Sequence, residues 1–225
     1  MKTKTQQAMT PPCRVMGIAL TALIALTLQA CSSLRPTETH ATDFFLLDGS
    51  PAHTALPSSA STPGKLLGPT LMVNPPAAAA GFDSPRIIYI HNAHQLEYFA
   101  HSEWVDPPAR MLGPLVVAAM THTGAFGAVV LSPGAATGAV RLDTEIIRLQ
   151  HEFKAQPSRV RFTLRATLVD DKTRGVLAWR EFDAYDTATS DDPAGGVAAA
   201  NRVVQTVLNE MATFCAEAVS PKKSR

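Results

Sequence analysis

Polarity alternates most cleanly in the last third of the chain. Val160, Phe162, Leu164, Ala166 and Leu168 form one apolar face, opposite Arg159, Arg161, Thr163 and Arg165. A period of two marks a strand with one face buried. Upstream, Val140, Leu142 and Thr144 alternate with Arg141, Asp143 and Glu145. The phase then slips: Ile147, Leu149, His151 and Phe153 alternate with Arg148, Gln150 and Glu152. One extra residue at Ile146/Ile147 accounts for the slip, which is what a β-bulge supplies. Asp170 to Gly175 reads as a turn into a partner strand, Val176 to Tyr185. After it the period changes to that of a helix. Asp192-Pro193 predicts a capped start. Val197, Ala200, Val204, Val207/Leu208, Met211 and Phe214/Cys215 then share one side, and Asn201, Gln205, Asn209 and Glu217 the other.

The first two thirds are more broken. Asp43 to Leu47, Leu66 to Val73, Arg86 to Ile90 and Phe126 to Leu131 are short apolar runs between turn residues, hence strands. Arg86–Ile90, the His91-Asn92-Ala93-His94 turn, and a segment with Leu96, Tyr98 and Ala100 on one face predict a hairpin. Asp106 before Pro107 and Pro108 predicts the cap of a helix running towards Thr123, stopping at Gly124, with Pro114 as a kink or restart. Pro75–Ser84 and Ser132–Gly138 read as loops. The Ser, Pro, Ala, Thr and Gly of 50–64 are too poor in large apolar groups to offset ordering entropy, so this segment is expected to be a flexible loop. The sum is an α/β fold: a single layered domain over 43–219, with an antiparallel or mixed sheet packed by two main helices. Residues 220–225 form a basic tail.

The N-terminus has a different pattern. Lys2, Lys4 and Arg14 precede an apolar run, Val15 to Leu28, with no acid among them. The run is shorter than the roughly 20 residues of a spanning helix. It has the layout of a secretory signal. Leu28-Gln29-Ala30-Cys31 resembles a lipoprotein signal, and the resemblance implies cleavage after Ala30 and lipid on the Cys31 thiol. Residues 31–42 then form a lipidated tether, whose eleven residues after the cysteine reach roughly 35 Å when extended. Loss of residues 1–30 leaves 195 of the 225 residues. Removing its three basic residues from 20 Lys and Arg leaves 17, against 19 Asp and Glu. A net charge of −2 excludes the strong basic excess of a nucleic-acid binder.

Of the cysteines Cys13, Cys31 and Cys215, only the last remains a thiol, which excludes an intrachain disulfide framework and a zinc site of several thiolates. Cys215 lies on an apolar helix side, with no neighbouring base or cation to activate it. His91, His94 and His101 are a possible ligand set, but no acid or thiol stands at a ligand spacing beside them, so surface histidines are expected and no metal or cofactor. The chain has no G-x-S-x-G elbow and no phosphate-cradling glycine loop. Asp170-Asp171 and Asp191-Asp192 have structural reasons as turn and cap. Arg159, Arg161 and Arg165, which Arg148 could extend, form either a solvated face or a docking surface for an acidic partner or lipid headgroup. Trp104, at the hairpin's end, is expected at the core's edge.

In order, Cys31-Ser32-Ser33, Phe44-Phe45-Leu46-Leu47, the Ile87–Tyr98 hairpin, Ser102-Glu103-Trp104-Val105-Asp106-Pro107-Pro108 with Met111-Leu112, Phe182 ending the last strand, and Ala198-Ala199-Ala200-Asn201 resemble one family. It is the ABC-type transport auxiliary lipoproteins, the PqiC/YmbA-like group. The resemblance implies a non-enzymatic lipoprotein of an intermembrane lipid transport system, working beside an MCE-domain protein and an ABC permease and ATPase. It would anchor or dock the periplasmic conduit at the outer membrane, facing the periplasm; homo-oligomers are possible. The alternative is a structural or assembly lipoprotein of the outer membrane or of a secretion system. Ser32 after the cysteine implies outer-membrane sorting, by resemblance to the enterobacterial rule. The expected outcome for Cys31→Ala is an uncut precursor or release from the membrane fraction, because stable anchoring takes two or more chains at about 0.8 kcal/mol per buried methylene. Unchanged processing and retention on membrane fractionation would contradict it.

Overall fold

The computed structural model describes residues 41–48, 68–134, 137–154 and 156–220. The expected signal, Cys31, most of the tether, loop 50–64 and nearly all of the tail lie outside them. Among the described residues nine strands and two helices follow in order: β1 (Asp43–Phe45), β2 (Thr70–Val73), β3 (Ala77–Ala78), β4 (Arg86–Ile90), β5 (Glu97–Trp104), α1 (Pro108–His122), β6 (Ala128–Leu131), β7 (Val140–Glu152), β8 (Arg159–Asp170), β9 (Val176–Thr187) and α2 (Pro193–Val219). The short β3 lies where a loop is expected, added as a parallel rung beside Glu145 and Ile146. Among the described residues no helix is long and apolar enough to cross a membrane.

The sheet is mixed and is organised by β7. Along one edge β7 pairs throughout with antiparallel β8, and β8 with antiparallel β9. Its other edge is shared end to end by three parallel strands: β2 at Val140–Leu142, β3 at Glu145–Ile146, and β4 at His151–Glu152. Beyond β2 lies parallel β6. Beyond β4 comes antiparallel β5, then parallel β1. The predicted phase slip is a real bulge: Ile146 faces Leu164, Arg148 faces Thr163, and Ile147 is the inserted residue. Without it, either Leu142 and Ile146 or Leu149 and His151 would leave the buried face.

Helix α2 covers the face formed by Val160, Phe162, Leu164, Ala166 and Leu168, all buried, while α1 packs on β2, β6 and α2. Val204, Val207, Leu208, Met211 and Cys215 of α2 lie in the same core, as do Leu112, Val116 and Met120 of α1. Asp192 caps α2 as predicted, accepting from the Gly195 amide at 2.7 Å. The Asp106 cap does not form. Pro107 takes the cap position with no side-chain hydrogen bond, and Asp106 instead accepts from Arg110 at 3.1 Å. The helix begins one residue later than expected, at Pro108, so Asp106 lies outside the cap position. Pro114 neither ends nor restarts α1, and the turn after it uses Gly124 at φ +65°. Asn201, expected on the polar side of α2, is buried. Its amide donates to Leu46 O at 3.1 Å and accepts from the Asp48 amide at 2.9 Å, pinning the segment after β1. Phe182 lies in mid-strand rather than at its end, because β9 continues to Thr187 against Arg159. The Leu96, Tyr98 and Ala100 face is the solvent side of β5, with Arg86 over the Tyr98 ring, while Trp104, expected at the core's edge, is buried within the core.

Leu164 is fully buried where α2 crosses β8. Leu164→Ala should cost about 2–5 kcal/mol in denaturant unfolding. A loss below about 1 kcal/mol would contradict this packing.

Candidate functional site

The open face of β7, β8 and β9 holds the arginines singled out by the sequence. Period two on adjacent strands brings Arg159, Arg161 and Arg165 onto one surface. They meet carboxylates there. Arg161 grips Asp183 in a two-point bond, at 2.9 and 2.8 Å. Arg165 bridges Glu145 at 3.0 Å and Glu181 at 3.1 Å. Arg159 binds Glu152 at 3.1 Å. The Arg161 bond holds the Asp183 carboxyl below the usual range and pushes the Arg161 guanidinium up. Arg159 and Arg161 also lie over the Tyr185 ring, 4.1 and 4.9 Å from its centroid. Trp179, 66% exposed, stands opposite Thr167 on the same face. The surface is therefore a ladder of matched charges with two aromatics, not a bare basic stripe. It was only half legible: the arginines show in one strand's alternation, their partners only through the register of two others.

The histidines do not converge on a metal. His91 lies 3.5 Å from Glu97 and stacks on Phe153 at 4.9 Å. His94 occupies the hairpin turn at φ +66°. Among the described residues no group of three or more His, Cys, Asp or Glu is placed to hold an ion. Burial pushes the Cys215 thiol up to about 12, far from thiolate chemistry at neutral pH.

One polar cluster escaped the sequence. His151 on β7 is buried, and its Nε2 lies 2.8 Å from the Ser158 hydroxyl. The Ser158 amide donates to Asp191 at 3.2 Å. Hydrogen bonds from the Ser158 hydroxyl and amide hold the Asp191 carboxyl below its usual range. The order is carboxylate, serine, imidazole. In a hydrolase the imidazole stands between the other two. Ser158 is wholly buried, and the cavity beside His151 is about 10 Å³, too small for a substrate. The cluster instead ties the start of β8 to the start of α2. Gly196 allows the approach: a Cβ there would lie 2.5 Å from His151 Nδ1. Residues 151, 158 and 191 share no local motif, so only the fold brings them together.

Burial lowers the His151 pKa from 6.5, outweighing Asp191 and Asp192, which pull it up. The folded state thus favours neutral imidazole. As pH falls below about 6.5 the unfolded chain takes up a proton that the native state resists, and stability drops. Thermal unfolding between about pH 7.5 and pH 5.5 should show this loss, and His151→Gln, which removes the titration, should flatten it. An unchanged slope in the variant would contradict it.

The family model of the ABC-type transport auxiliary lipoprotein component matches residues 46–212, well over half of the chain. No curated protein sequence matches. Among solved structures, the chain is similar to protein XCC0632 from Xanthomonas campestris, at 24% identity and TM-score 0.63, over 68% of this chain and 86% of that one. An uncharacterized protein is similar at 13% identity and TM-score 0.57, over 80% of this chain and 99% of that one. These two likenesses carry the fold alone. The family match spans the domain from the end of β1 into the last turns of α2, and by it this chain belongs to the ABC-type transport auxiliary lipoproteins.

Proposed function

We propose that this protein is a non-catalytic outer-membrane lipoprotein of an MCE/ABC-type intermembrane lipid transport system, docking the periplasmic conduit through the open face of β7–β9. The family match carries the reading. Two further features support it. Cys31 follows a lipoprotein-like signal. The His151, Ser158 and Asp191 cluster lacks both the order and the solvent access of a hydrolytic site. The permease, ATPase and MCE-domain protein are the partners the reading requires.

The docking face is Arg159, Arg161 and Arg165 with Tyr185 and Trp179. Tryptophan, tyrosine and arginine are the residues that dominate binding energy at interfaces. Because each arginine already has a carboxylate partner, the face contributes pattern and encounter rate more than raw charge attraction. The test is co-purification of the native chain with the MCE-domain protein of the same system. Trp179→Ala should weaken capture, and reversing Arg159, Arg161 and Arg165 to glutamate should slow association, with thermal unfolding checked in both. Unaffected capture would leave this face merely solvated. No capture by the native protein would replace the transport reading with an assembly lipoprotein. Purified protein should turn over neither esters nor phosphodiesters.

A further inference from the structure

The sheet forks where β7 bulges. β3 ends at Ala78, β4 begins at Arg86, and between Ile146 and His151 the edge of β7 passes from one to the other. On the open face this fork forms a cleft of about 410 Å³. One wall is apolar: Phe82 between β3 and β4, Ile90 at the end of β4, and Leu96 after the turn. The other wall is cationic, with Arg148, Lys154 and Arg161. The only carboxylate lining it among the described residues, Glu152, is engaged by Arg159 at 3.1 Å and by the Gln150 amide at 2.9 Å.

Arg148 departs from the pattern of its face. Arg141, Arg159, Arg161 and Arg165 each bond a carboxylate. Arg148 follows the inserted Ile147, stands opposite Thr163, and bonds no carboxylate among the described residues. It reaches Asp183 only as a weak through-space attraction, behind Arg161. Lys154 likewise bonds no carboxylate among the described residues. Bulges re-aim side chains, and this one accompanies a guanidinium without a carboxylate bond, in a cleft that also holds an ammonium. A forked donor set beside a compact point charge suits a tetrahedral oxyanion. The apolar wall opposite gives such a ligand's hydrocarbon portion a surface to cover.

We propose that this cleft binds an anionic amphiphile, with the phosphate on Arg148 and Lys154 and the apolar part against Phe82, Ile90 and Leu96. The site does not depend on the transport reading; it needs only the fork and two cations that bond no carboxylate. The probes are dihexanoyl phosphatidylglycerol, dihexanoyl phosphatidylcholine, glycerol 3-phosphate and an acidic peptide, titrated by calorimetry into the full chain in a neutral detergent. Phosphatidylglycerol should bind tightest. Arg148→Gln and Lys154→Gln should each weaken it about tenfold or more, with the thermal midpoint unchanged. Leu96→Gln should weaken phosphatidylglycerol but not glycerol 3-phosphate, and Arg110→Gln on α1 should change neither. Undetectable phosphatidylglycerol binding, or equal binding in the Arg148 and Lys154 variants, would overturn the proposal. Glycerol 3-phosphate binding as tightly as the lipid would reduce the cleft to a small-anion site. Tighter binding of the acidic peptide would make it a peptide groove. Both results would overturn the amphiphile assignment.

Discussion

Strand β7 must pair along both edges at once, and one of those edges must serve three partners in series. Everything else in the domain follows from meeting that demand. On one side β8 matches it almost residue for residue. On the other, β2, β3 and β4 each take a separate stretch. A strand this long twists, and an inserted residue increases local twist and bend. The bulge at Ile147 lies between the stretches used by β3 and β4. It keeps Ile146 and Leu149 both buried and leaves a fork on the open face.

Burial and charge are separated by the same alternation. The closed face meets α1 and α2 through aliphatic side chains and Phe162 and Phe182, in one continuous core. The open face carries the ion pairs. Each exposed pair is worth little, about 0–1 kcal/mol, so the ladder specifies which surface is presented more than it stabilises the fold. Arg148 and Lys154, without carboxylate bonds, therefore stand out on a face whose other arginines each bond one.

What the sequence made legible was what is local. The β8 face, the slip at Ile146/Ile147, the Asp192 cap and the Gly124 stop each rest on neighbours within a few residues. Asp106 failed as a cap because the helix begins after Pro107, one residue later than its own position would set. Asn201 misled because one polar group on a helix looks the same whether it faces water or a distant carbonyl. The partners of Arg159, Arg161 and Arg165, and the His151, Ser158 and Asp191 cluster, depend on inter-strand register and on the placement of α2. Neither is written in any short window. The parallel pairing of β2 and β4 was hidden for the same reason, since short apolar runs carry no direction, and the two alanines of β3 show no strand pattern at all.

The central claim is that β7, bulge included, makes the two halves of the sheet one cooperative unit. Native-state hydrogen exchange tests it most directly. Amides of β7 and β8 on both sides of Ile147 should share the slowest exchange and respond alike to denaturant, as groups released only by global unfolding do. If the half of β7 beside β4 opened at clearly lower free energy than the half beside β2, the bulge would be a joint between two independent units, and this account of the fold would be wrong.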